Sequence, residues 1–455
     1  MDNLDLKINN FINFLYNNQN NTNISNFKNF YSKNDYYNFL YDIIFLLQNY
    51  PNNDINFYKE QLFINSHILY YLNEFINEMK MAPSMVLKYG TDKINDTIII
   101  NAYNEDTLYD IASTSKTFTA VAILKLCENN LINLDDNITK YEPRFKNLKD
   151  ITIFDLLSFK VSIKTKERID KAKTKEEAEN ILFNIEYNEN ADPTFLYTDM
   201  GCLVLKYVVE NVTNMRFSDF LNEEIFQKNQ MFNTVLNPKD LNNVANENNS
   251  MIVLNTGKII NNITPLGLVH DPKARILGQK DGIFPGHAGY FSNVNDMFTF
   301  AKNLANNKIL NSHSIDLLTT PVVGNKNSYY FGLLNYSKQL GPNFIAVQPY
   351  LSGKSFLSPG FAGTSLCVDN LNKVYAFMAA NRLNNRIYQI PIHLRKDIYT
   401  INKVRYYQGN IVNFDYTSKS QDIMNIVMTL AIKYKFLETI FDYKNEITYK
   451  KIIKK

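Results

Sequence analysis

The sequence predicts an α/β (α+β) fold, in which an antiparallel sheet is flanked by helices and interrupted by an inserted all-helical subdomain. Three observations predict it. A helix, two strands and a second helix follow one another between about residues 67 and 134; the segment 135–250 has a helical pattern; and strand-like runs return after residue 251, before a long amphipathic helix at 422–443. Strands that need helices on their faces are typical of layered α/β folds.

The first α/β segment, residues 67–134, begins with a helix from about His67 to Met79. The runs SMVLKYG and DTIIINAY follow, separated by a polar turn, and predict two paired strands. A second helix is predicted to open at Ser113 and to run to the Asn129–Asn130 pair. This order of elements begins the predicted sheet layer.

The rest of the chain divides by its pattern. Segments such as EEAENILFNI and GCLVLKYVVENV, separated by polar loops, predict the helical subdomain 135–250. In 251–455 the sheet resumes with the run FIAVQPYL and with the hairpin formed by TSLCVD, NLNK and VYAFMAA. A Tyr-rich stretch at 386–421 fits no pattern and is left unassigned. In 422–443 apolar residues recur at alternating threes and fours, which predicts a C-terminal helix on the sheet.

The N-terminal residues, 1–66, are rich in asparagine, with aromatic and aliphatic residues at helical spacing, and predict a small helical extension. We recognise no signal-peptide pattern there, and no apolar run is long enough to span a bilayer. The sequence therefore predicts a cytoplasmic protein without a membrane span.

Composition excludes several classes of protein. The chain has 455 residues, 45% of them hydrophobic, which is enough for a large core, and its 48 basic and 45 acidic residues leave a net charge of only +3. Since no basic block is present, a nucleic-acid partner is not expected. The three cysteines, far apart in apolar surroundings, are predicted to be reduced. No His, Cys or acidic spacing predicts a metal site, and we expect no cofactor.

The stretch DIASTSKTFTAVA contains a pattern with chemical meaning. Ser113 and Lys116 are three residues apart, so on a helix the amine lies one turn from the hydroxyl on the same face. A serine hydroxyl is a poor nucleophile without a neighbouring base and donors for the oxyanion. S-x-x-K alone is weak, because it also occurs at Ser25 and Lys28, where neither strands nor an apolar helix surround it.

A second candidate lies at FLYTDMGCLVL, where Tyr197 and Asp199 stand before a helical run. The chain from about Leu72 to Leu383 resembles the serine β-lactamase and penicillin-binding-protein superfamily. Besides FLYTDMGCLVL, the resemblance rests on five stretches that occur in the order found in that superfamily: LYDIASTSKTFTAVAILKLCENN, ITIFDLLSF, GHAGYFSNVNDMFTFAKNL, GFAGTSLCVDN and AANR. The likeness is to the class C β-lactamase-related esterases and D-alanyl-D-alanine peptidases.

The resemblance implies an acyl-serine mechanism and a β-lactamase/transpeptidase-like fold. It makes Ser113 the nucleophile, Lys116 the lysine of its proton network and Tyr197 the general base, with Asp199 where many members have Asn. The implied oxyanion hole uses the backbone N–H of Ser113 and one near Phe361. In general terms, a cation favours an ionised phenol, and a desolvated lysine more readily becomes neutral.

The substrate strand departs from the family pattern, which has Lys or His, then Thr or Ser, then Gly. Here alignment with GFAGTSL gives Ser358, Pro359 and Gly360, so the cation is missing. Its loss argues against tight binding of penicillins or D-alanyl-D-alanine ends. Since proline removes an N–H donor, Pro359 is expected on an edge strand or at a position where no ladder bond is needed. LLSFKVSI also replaces the family's LL-T-H-T-S-G loop.

Plainer roles compete with catalysis. Ser113 could cap a helix, Lys116 could be a solvated lysine, Tyr197 could be a core aromatic, and Asp199 could be an N-cap. His270, Asp271 and His287 invite a triad, but no nucleophile elbow accompanies them, so a His-based triad is not predicted. A tight turn is expected at His287, before a helix near Ser292.

The predicted function is a β-lactamase-related serine hydrolase, esterase-like, acting on a small-molecule ester or amide. The alternatives are a non-catalytic scaffold that binds a ligand or partner, and a true β-lactamase or D-alanyl-D-alanine carboxypeptidase. The sequence leaves the acyl donor, the acceptor and the oligomeric state undetermined.

Overall fold

The computed structural model describes residues 49, 54–65, 68–102, 104–191, 197–245, 249–324, 329–338, 347 and 351–453. Most of the predicted extension 1–66 therefore lies outside the described residues, as does the predicted strand FIAVQPYL apart from Val347 and Leu351.

Short and long helices alternate with strands along the chain. The α-helices are α1 (Ile55–Asn65), α2 (Ile68–Asn73), α3 (Lys116–Glu128), α4 (Ile138–Tyr141), α5 (Ile153–Leu157), α6 (Lys175–Phe183), α7 (Met200–Thr213), α8 (Phe217–Leu221), α9 (Pro272–Ile276), α10 (Val294–Ala305), α11 (Ser312–Thr319) and α12 (Tyr416–Ile453). The strands are β1 (Met85–Gly90), β2 (Asn95–Ile100), β3 (Tyr109–Asp110), β4 (Ile163–Lys164), β5 (Glu186–Tyr187), β6 (Asn249–Val253), β7 (Ile259–Ile263), β8 (Phe291–Ser292), β9 (Tyr336–Ser337), β10 (Ser355–Pro359), β11 (Ser365–Asp369), β12 (Val374–Ala380), β13 (Arg386–Gln389), β14 (Tyr399–Ile401), β15 (Val404–Tyr407) and β16 (Asn410–Ile411). The 3-10 segments are Ala112–Ser115, Lys146–Leu148, Ile169–Lys171, Gln227–Asn229, Leu241–Asn243, Gln279–Asp281 and Ile392–Asp397, and the π-helical turns are Glu74–Glu78 and Asn222–Phe226.

The centre of the molecule is a six-stranded sheet in the order β2–β1–β12–β11–β10–β9. Every neighbouring pair in it is antiparallel. The sheet therefore joins strands from before and after the long helical region, and this is the antiparallel, helix-flanked architecture that the sequence predicts.

Strand β12, VYAFMAA, explains why the sheet has helices on both faces. All seven residues are buried, although successive side chains point to opposite faces. Tyr375 and Phe377 belong to the apolar cluster that includes α3 and α10. Val374 and Met378 belong to the cluster that includes α1 and α12. The sheet thus forms the middle layer of three.

The helical region between β2 and β6 contains α3 to α8, with one short antiparallel pair, β4–β5. Helix α5 shows why such short segments are helical. The Thr152 side chain accepts a hydrogen bond from Asp155 N, and the Asp155 carboxylate accepts one from Thr152 N, so the first turn is capped on both sides.

The stretch 386–421, unassigned from the sequence, contains β13, β14–β16 and the start of α12. Strand β13 pairs in parallel with β6, and β14–β16 form a separate antiparallel sheet. Helix α12 is longer than the predicted 422–443, since it begins at the buried Tyr416 and ends at Ile453.

No helix within the described ranges has the length and apolar character needed to cross a lipid bilayer.

Candidate active site

Ser113 lies in a tight turn between β3 and α3. The turn enters through Ala112, whose φ of +44° is a left-handed conformation that costs an L-residue about 1–2 kcal/mol. The buried Asp110 carboxylate holds this turn, because it accepts hydrogen bonds from Ala112 N at 2.8 Å and from His270 N at 2.7 Å. Burial raises the pKa of Asp110 to about 6. Ser113 itself is half-buried, so its hydroxyl is not sealed from solvent.

Lys116 connects Ser113 to Asp199. Its Nζ donates a hydrogen bond to Ser113 Oγ at 2.7 Å and lies 2.8 Å from Asp199 Oδ1. The lysine side chain is only 1% exposed, whereas that of Asp199 is 24% exposed. A carboxylate that is remote in sequence therefore meets the neighbouring hydroxyl and amine in one place.

The charge on Lys116 differs from what desolvation alone suggests. Burial favours the neutral amine, but the Asp199 carboxylate, with a contribution from Tyr197, outweighs burial and raises the pKa of Lys116 above its usual value. Burial likewise favours the neutral acid at Asp199, but the surrounding cations, led by Lys116, hold the pKa of Asp199 below its usual value. The effect of desolvation, which alone would make Lys116 neutral more readily, is therefore outweighed because its partner Asp199 is a carboxylate.

Tyr197 contacts this group through its ring. Lys116 Nζ lies 4.9 Å from the ring centroid. The ring also packs against Phe159 and Phe331, at centroid distances of 5.1 and 6.1 Å, and against Tyr336 at 6.3 Å. Among the described residues, no hydrogen bond joins the Tyr197 hydroxyl to Ser113. The structure therefore brings the Tyr197 ring close to Lys116 but, in the part of the chain it describes, shows no hydrogen bond from its hydroxyl to Ser113.

Ser358 lies beside α3, at the end of β10. Its side chain is 2% exposed, with Oγ 2.9 Å from Thr117 Oγ1. Its carbonyl oxygen accepts a hydrogen bond from Thr114 Oγ1 at 3.1 Å. The hydroxyl of Ser358 thus contacts helix α3.

Gly360 follows directly and is in close contact with the nucleophile turn. Its N–H donates to Thr364 O at 2.7 Å. A Cβ added there would overlap Thr364 Oγ1 and the Ile111 carbonyl oxygen, and would lie 3.0 Å from Thr114 Oγ1. The strand can approach Ser113 this closely only because this residue has no side chain.

Strand β10 as a whole is not an edge strand, because β9 lies outside it. However, β9 pairs with β10 only at Phe356 and Leu357. Among the described residues, the side of Pro359 away from β11 therefore has no strand partner, which explains how a residue without an N–H fits there.

Phe361 forms an apolar surface next to Gly360. It is 48% exposed, and its ring lies 5.7 Å from that of His270 and 5.3 Å from that of Tyr388. The guanidinium of Arg382 lies 4.7 Å from the ring centroid. An exposed aromatic ring beside a polar turn could contact an apolar group of a ligand.

A chain of charges that sequence reasoning did not assemble continues beyond Asp199. Lys273 Nζ lies 2.9 Å from Asp199 Oδ2 and 3.2 Å from Asp271 Oδ2. His287 Nε2 lies 2.9 Å from Asp271 Oδ1. Of the two histidines near Asp271 in the sequence, only His287 contacts it, because His270 contacts Ser250 and Asn262 instead.

A His-based triad was not predicted, and the geometry has none on Ser113 among the described residues. Between His287 and Ser113 lie Asp271, Lys273, Asp199 and Lys116. No local pattern reveals Lys273, because its partners come from other segments. Thr117, in contrast, could have been identified from the sequence as a residue near the site, since it lies four residues after Ser113 on the same helical face.

Asp199, Asp271 and His287 offer ligand atoms within 4.8 Å of one another, a spacing that could hold a metal ion. However, all four carboxylate oxygens already have partners. The two oxygens of Asp199 contact Lys116 and Lys273. One oxygen of Asp271 contacts Lys273, and the other contacts His287 and the N–H of Ala274. A metal ion would have to displace a buried lysine, so we interpret the cluster as an ion-pair network.

The plainer roles that compete with catalysis can be compared with these positions. Ser113 lies inside the 3-10 turn, whose N-cap is Ile111. Asp199 occupies the N-cap position of α7, but its side chain makes no capping hydrogen bond. Lys116 is buried, so it is not a solvated lysine. Tyr197 differs from these three, because its ring packs against aromatic residues as the alternative role of a core aromatic requires.

Comparisons with known proteins identify the family. The sequence matches the model of the Beta-lactamase family over residues 88–398. It is 27% identical over 317 residues to a candidate D-alanyl-D-alanine carboxypeptidase of Escherichia coli strain K12, a match that covers 61% of this chain and 69% of that protein. It is 26% identical over 294 residues to an N-acetylmuramyl-L-alanine amidase of Bacillus subtilis strain 168, covering 58% of this chain and 65% of that protein.

Among solved structures, the fold is similar to that of EstCE1, described as a hydrolase with promiscuous acyltransferase activity. The TM-score is 0.56 at 17% sequence identity, and the match covers 70% of this chain and 94% of that one. At this identity the likeness shows a shared fold and confirms the predicted fold class. Because the family match spans well over half of the sequence, the resemblance is also confirmed, and the chain belongs to the Beta-lactamase family.

Proposed function

We propose that this protein, a serine-hydrolase-like member of the Beta-lactamase family, is an esterase-like acyl hydrolase that works through an acyl-serine intermediate on Ser113. The observation that supports it most is the 2.7 Å hydrogen bond from Lys116 Nζ to Ser113 Oγ, made by a buried lysine that Asp199 holds in its charged form. A positive donor on Oγ stabilises the developing alkoxide.

In the proposed acylation step, Ser113 Oγ forms a bond to the acyl carbon, the carbonyl oxygen becomes the oxyanion, and the serine proton passes to the phenolate form of Tyr197. The bond to the alkoxide leaving group then breaks, and Tyr197 returns the proton to that group. The contact of the Tyr197 ring with Lys116 supports this assignment, because it puts the phenol near the serine. The hydrogen bond from Ser113 to the phenol is proposed to form when substrate binds, since catalytic hydrogen bonds in empty sites are often long. Water attacks the acyl-serine by the same route in deacylation.

The oxyanion hole is proposed to use the N–H groups of Ser113 and Phe361. Two features support it. The close approach of Gly360 to Ile111 and Thr114 draws the strand end to the nucleophile turn, and Ser358 contacts the following helix through Thr117. Ser358 and Gly360 are thus proposed to hold the strand, while Phe361 supplies an N–H and an apolar wall.

The charges at the site support a neutral acyl donor. The site contains two lysines, Lys116 and Lys273, opposite two carboxylates, Asp199 and Asp271, so these four groups carry no net charge. The strand position where the family has a cation holds the buried Ser358. A substrate carboxylate would therefore lack a partner among these groups, which disfavours penicillins and D-alanyl-D-alanine ends.

Covalent labelling tests this proposal. A fluorophosphonate probe should label the wild-type protein, and Ser113→Ala should abolish the labelling. We expect hydrolysis of p-nitrophenyl esters of short acyl groups, with no detectable turnover of a chromogenic cephalosporin. Labelling that persists in Ser113→Ala would contradict the assignment of the nucleophile.

The altered strand also favours a second candidate, a non-catalytic scaffold that binds a ligand or partner. It predicts that neither a fluorophosphonate nor a labelled penicillin reacts with the folded protein. A true β-lactamase or D-alanyl-D-alanine carboxypeptidase would instead react with the penicillin and turn over its substrate. The same experiment therefore separates all three.

A further inference from the structure

The side chain of Lys273 lies between two carboxylates. Its ammonium contacts Oδ2 of Asp199 at 2.9 Å and Oδ2 of Asp271 at 3.2 Å. The side chain is 20% exposed, and those of Asp199 and Asp271 are 24% and 23% exposed. A partly buried ion pair of this kind is screened less than one on the surface. Lys273 therefore has a larger effect on Asp199 than an exposed lysine would have.

Asp271 is fixed independently of Lys273. Its Oδ1 accepts a hydrogen bond from Ala274 N at 2.8 Å, capping α9 behind Pro272, and also contacts His287, which is 1% exposed. Asp271 is thus an immobile anchor, and Lys273 connects Asp199 to it.

Asp199 uses one oxygen for each lysine: Oδ1 for Lys116 and Oδ2 for Lys273. This division fixes the plane of the carboxylate. Because Lys116 Nζ also contacts Ser113 Oγ, the orientation of Asp199 sets where the Lys116 ammonium can lie.

We propose that Lys273 is a positioning residue for acyl transfer, which holds Asp199 between two ammonium groups and thereby keeps Lys116 on the Ser113 hydroxyl. The inference rests on the proposed function, because it concerns the reactivity of Ser113. In the described part of the chain Lys273 contacts Asp199 and Asp271 but not Ser113, so it acts through Asp199 and Lys116.

The arrangement of charges explains why the lysine is needed. Without Lys273, the carboxylates of Asp199 and Asp271 would have Lys116 as the one lysine beside them. Because two nearby negative charges repel each other, ionisation of both carboxylates would be disfavoured. Asp199 would then either take up a proton or turn both oxygens toward Lys116. Either change moves Lys116 away from its present position on Ser113 Oγ.

The test compares variants by the rate at which a fluorophosphonate labels Ser113 across pH. With Lys273→Met we expect labelling at pH 7 to slow by about 10- to 100-fold, as misplacement of a reacting group does. Lys273→Arg keeps the cation and should recover most of the rate. Lys280→Met is the matched control, since Lys280 is exposed in the next segment of the chain, and it should label like wild type.

The direction in which the pH profile of labelling shifts distinguishes a positioning role of Lys273 from a purely structural one. The groups that face Asp199 are Lys116, Lys273, Asp271, His287 and the buried thiol of Cys202. Removing a cation at Lys273 makes protonation of Asp199 easier, so the acidic limb of the rate profile should move to higher pH. Asp271→Asn removes an anion but retains a side chain able to cap α9, so its acidic limb should move to lower pH.

Each outcome bears on one claim. If wild-type Ser113 is not labelled, the proposed function fails. If wild type is labelled and folded Lys273→Met labels at the same rate with the same pH profile, the positioning role is wrong. If Lys273→Met does not fold, Asp271→Asn and Lys273→Arg decide: an acidic limb unmoved in Asp271→Asn overturns the inference.

Discussion

Gly360 shows how one residue without a side chain can determine the geometry of the whole site. The strand end and the nucleophile turn are in contact where a Cβ would overlap Thr364 Oγ1 and the Ile111 carbonyl. Neither obstacle is the tip of a flexible side chain, because Thr364 Oγ1 is itself bound to Thr114 and to Ile111 O. The distance between the two backbone segments therefore depends on glycine.

We expect Gly360→Ala to separate the strand from the turn and to slow fluorophosphonate labelling of Ser113 by about 10- to 100-fold, because an oxyanion donor is displaced. Overpacking should also lower the free energy of unfolding by about 1–3 kcal/mol. Gly353→Ala is the control, since a Cβ there meets nothing within 4 Å. Labelling rates and urea denaturation measure both effects, and equal rates for the two variants would contradict the proposed strand contact.

Asp199 gives the site an ion pair where an amide is common in the family. Its pKa in the folded state is below the usual value, so its stabilisation is complete above the unfolded pKa of about 3.9 and is lost as pH falls below it. The pKa of Lys116 is raised, so its contribution is complete below about pH 10 and is lost only above. Both contributions are fully present at pH 7.

Asp199→Asn should therefore lower the free energy of unfolding at pH 7 by about 3 kcal/mol, the usual cost of leaving one partner of a buried pair alone. The difference from wild type should shrink as pH falls from about 5 to 2, because unfolded wild type then takes up a proton at Asp199 that the folded state does not yet bind. Urea denaturation at several pH values measures this. A difference that stayed constant over that range would show that the ion pair is not its source.

Helix α3 and strand β10 are connected by buried hydroxyl groups as well as by apolar packing. Thr117 Oγ1 donates to Asn335 Oδ1 at 2.8 Å and lies 2.9 Å from Ser358 Oγ. One turn earlier, Thr114 Oγ1 donates to the Ser358 carbonyl oxygen. These bonds determine how the nucleophile helix lies along the strand, so they belong to the geometry of the site.

Thr117→Val keeps the shape of the side chain but removes these bonds. We expect a loss of about 2 kcal/mol, because buried polar atoms on Asn335 and Ser358 lose a partner. Ser358→Ala and the double variant complete a thermodynamic cycle by urea denaturation. A coupling energy of at least about 0.5 kcal/mol is expected for groups in contact. Strictly additive losses would mean that the two hydroxyls do not interact.

What the sequence could predict follows from how local each signal is. The strands β1 and β12 and the helix α3 are long apolar runs, so their pattern is visible within a short window. Strand β13 pairs in parallel with β6, from a distant part of the chain, and β14–β16 are two to four residues long. Such pairing leaves no periodicity in the local sequence, which is why 386–421 was unassigned.

The site divides in the same way. Ser113 and Lys116 are one helical turn apart, so their contact could be predicted from spacing alone. That Asp199 is near them was implied only by the family resemblance. Lys273 and its contacts depend on three separate segments meeting around two carboxylates, which only the folded chain reveals.

In the molecule as a whole, the sheet separates the layer that carries Ser113 from a second layer that only supports it. Helix α12 covers the second face, and its Leu430 is 1% exposed in the cluster formed with β1 and β12. The hydroxyl of Tyr434, on the same helix, hydrogen-bonds to Asp96 of β2. Stability and reactivity can therefore be changed separately by choosing the face.

Leu430→Ala should lower the free energy of unfolding by about 2–5 kcal/mol, since truncating a fully buried leucine leaves a cavity. The rate at which folded protein labels at Ser113 should stay within about twofold of wild type, because the sheet lies between Leu430 and the nucleophile; additivity holds for distant sites. Urea denaturation and labelling without denaturant measure the two quantities, with exposed Asp422→Ala on the same helix as control. A large loss of labelling in folded Leu430→Ala would mean that the two layers are coupled through the sheet.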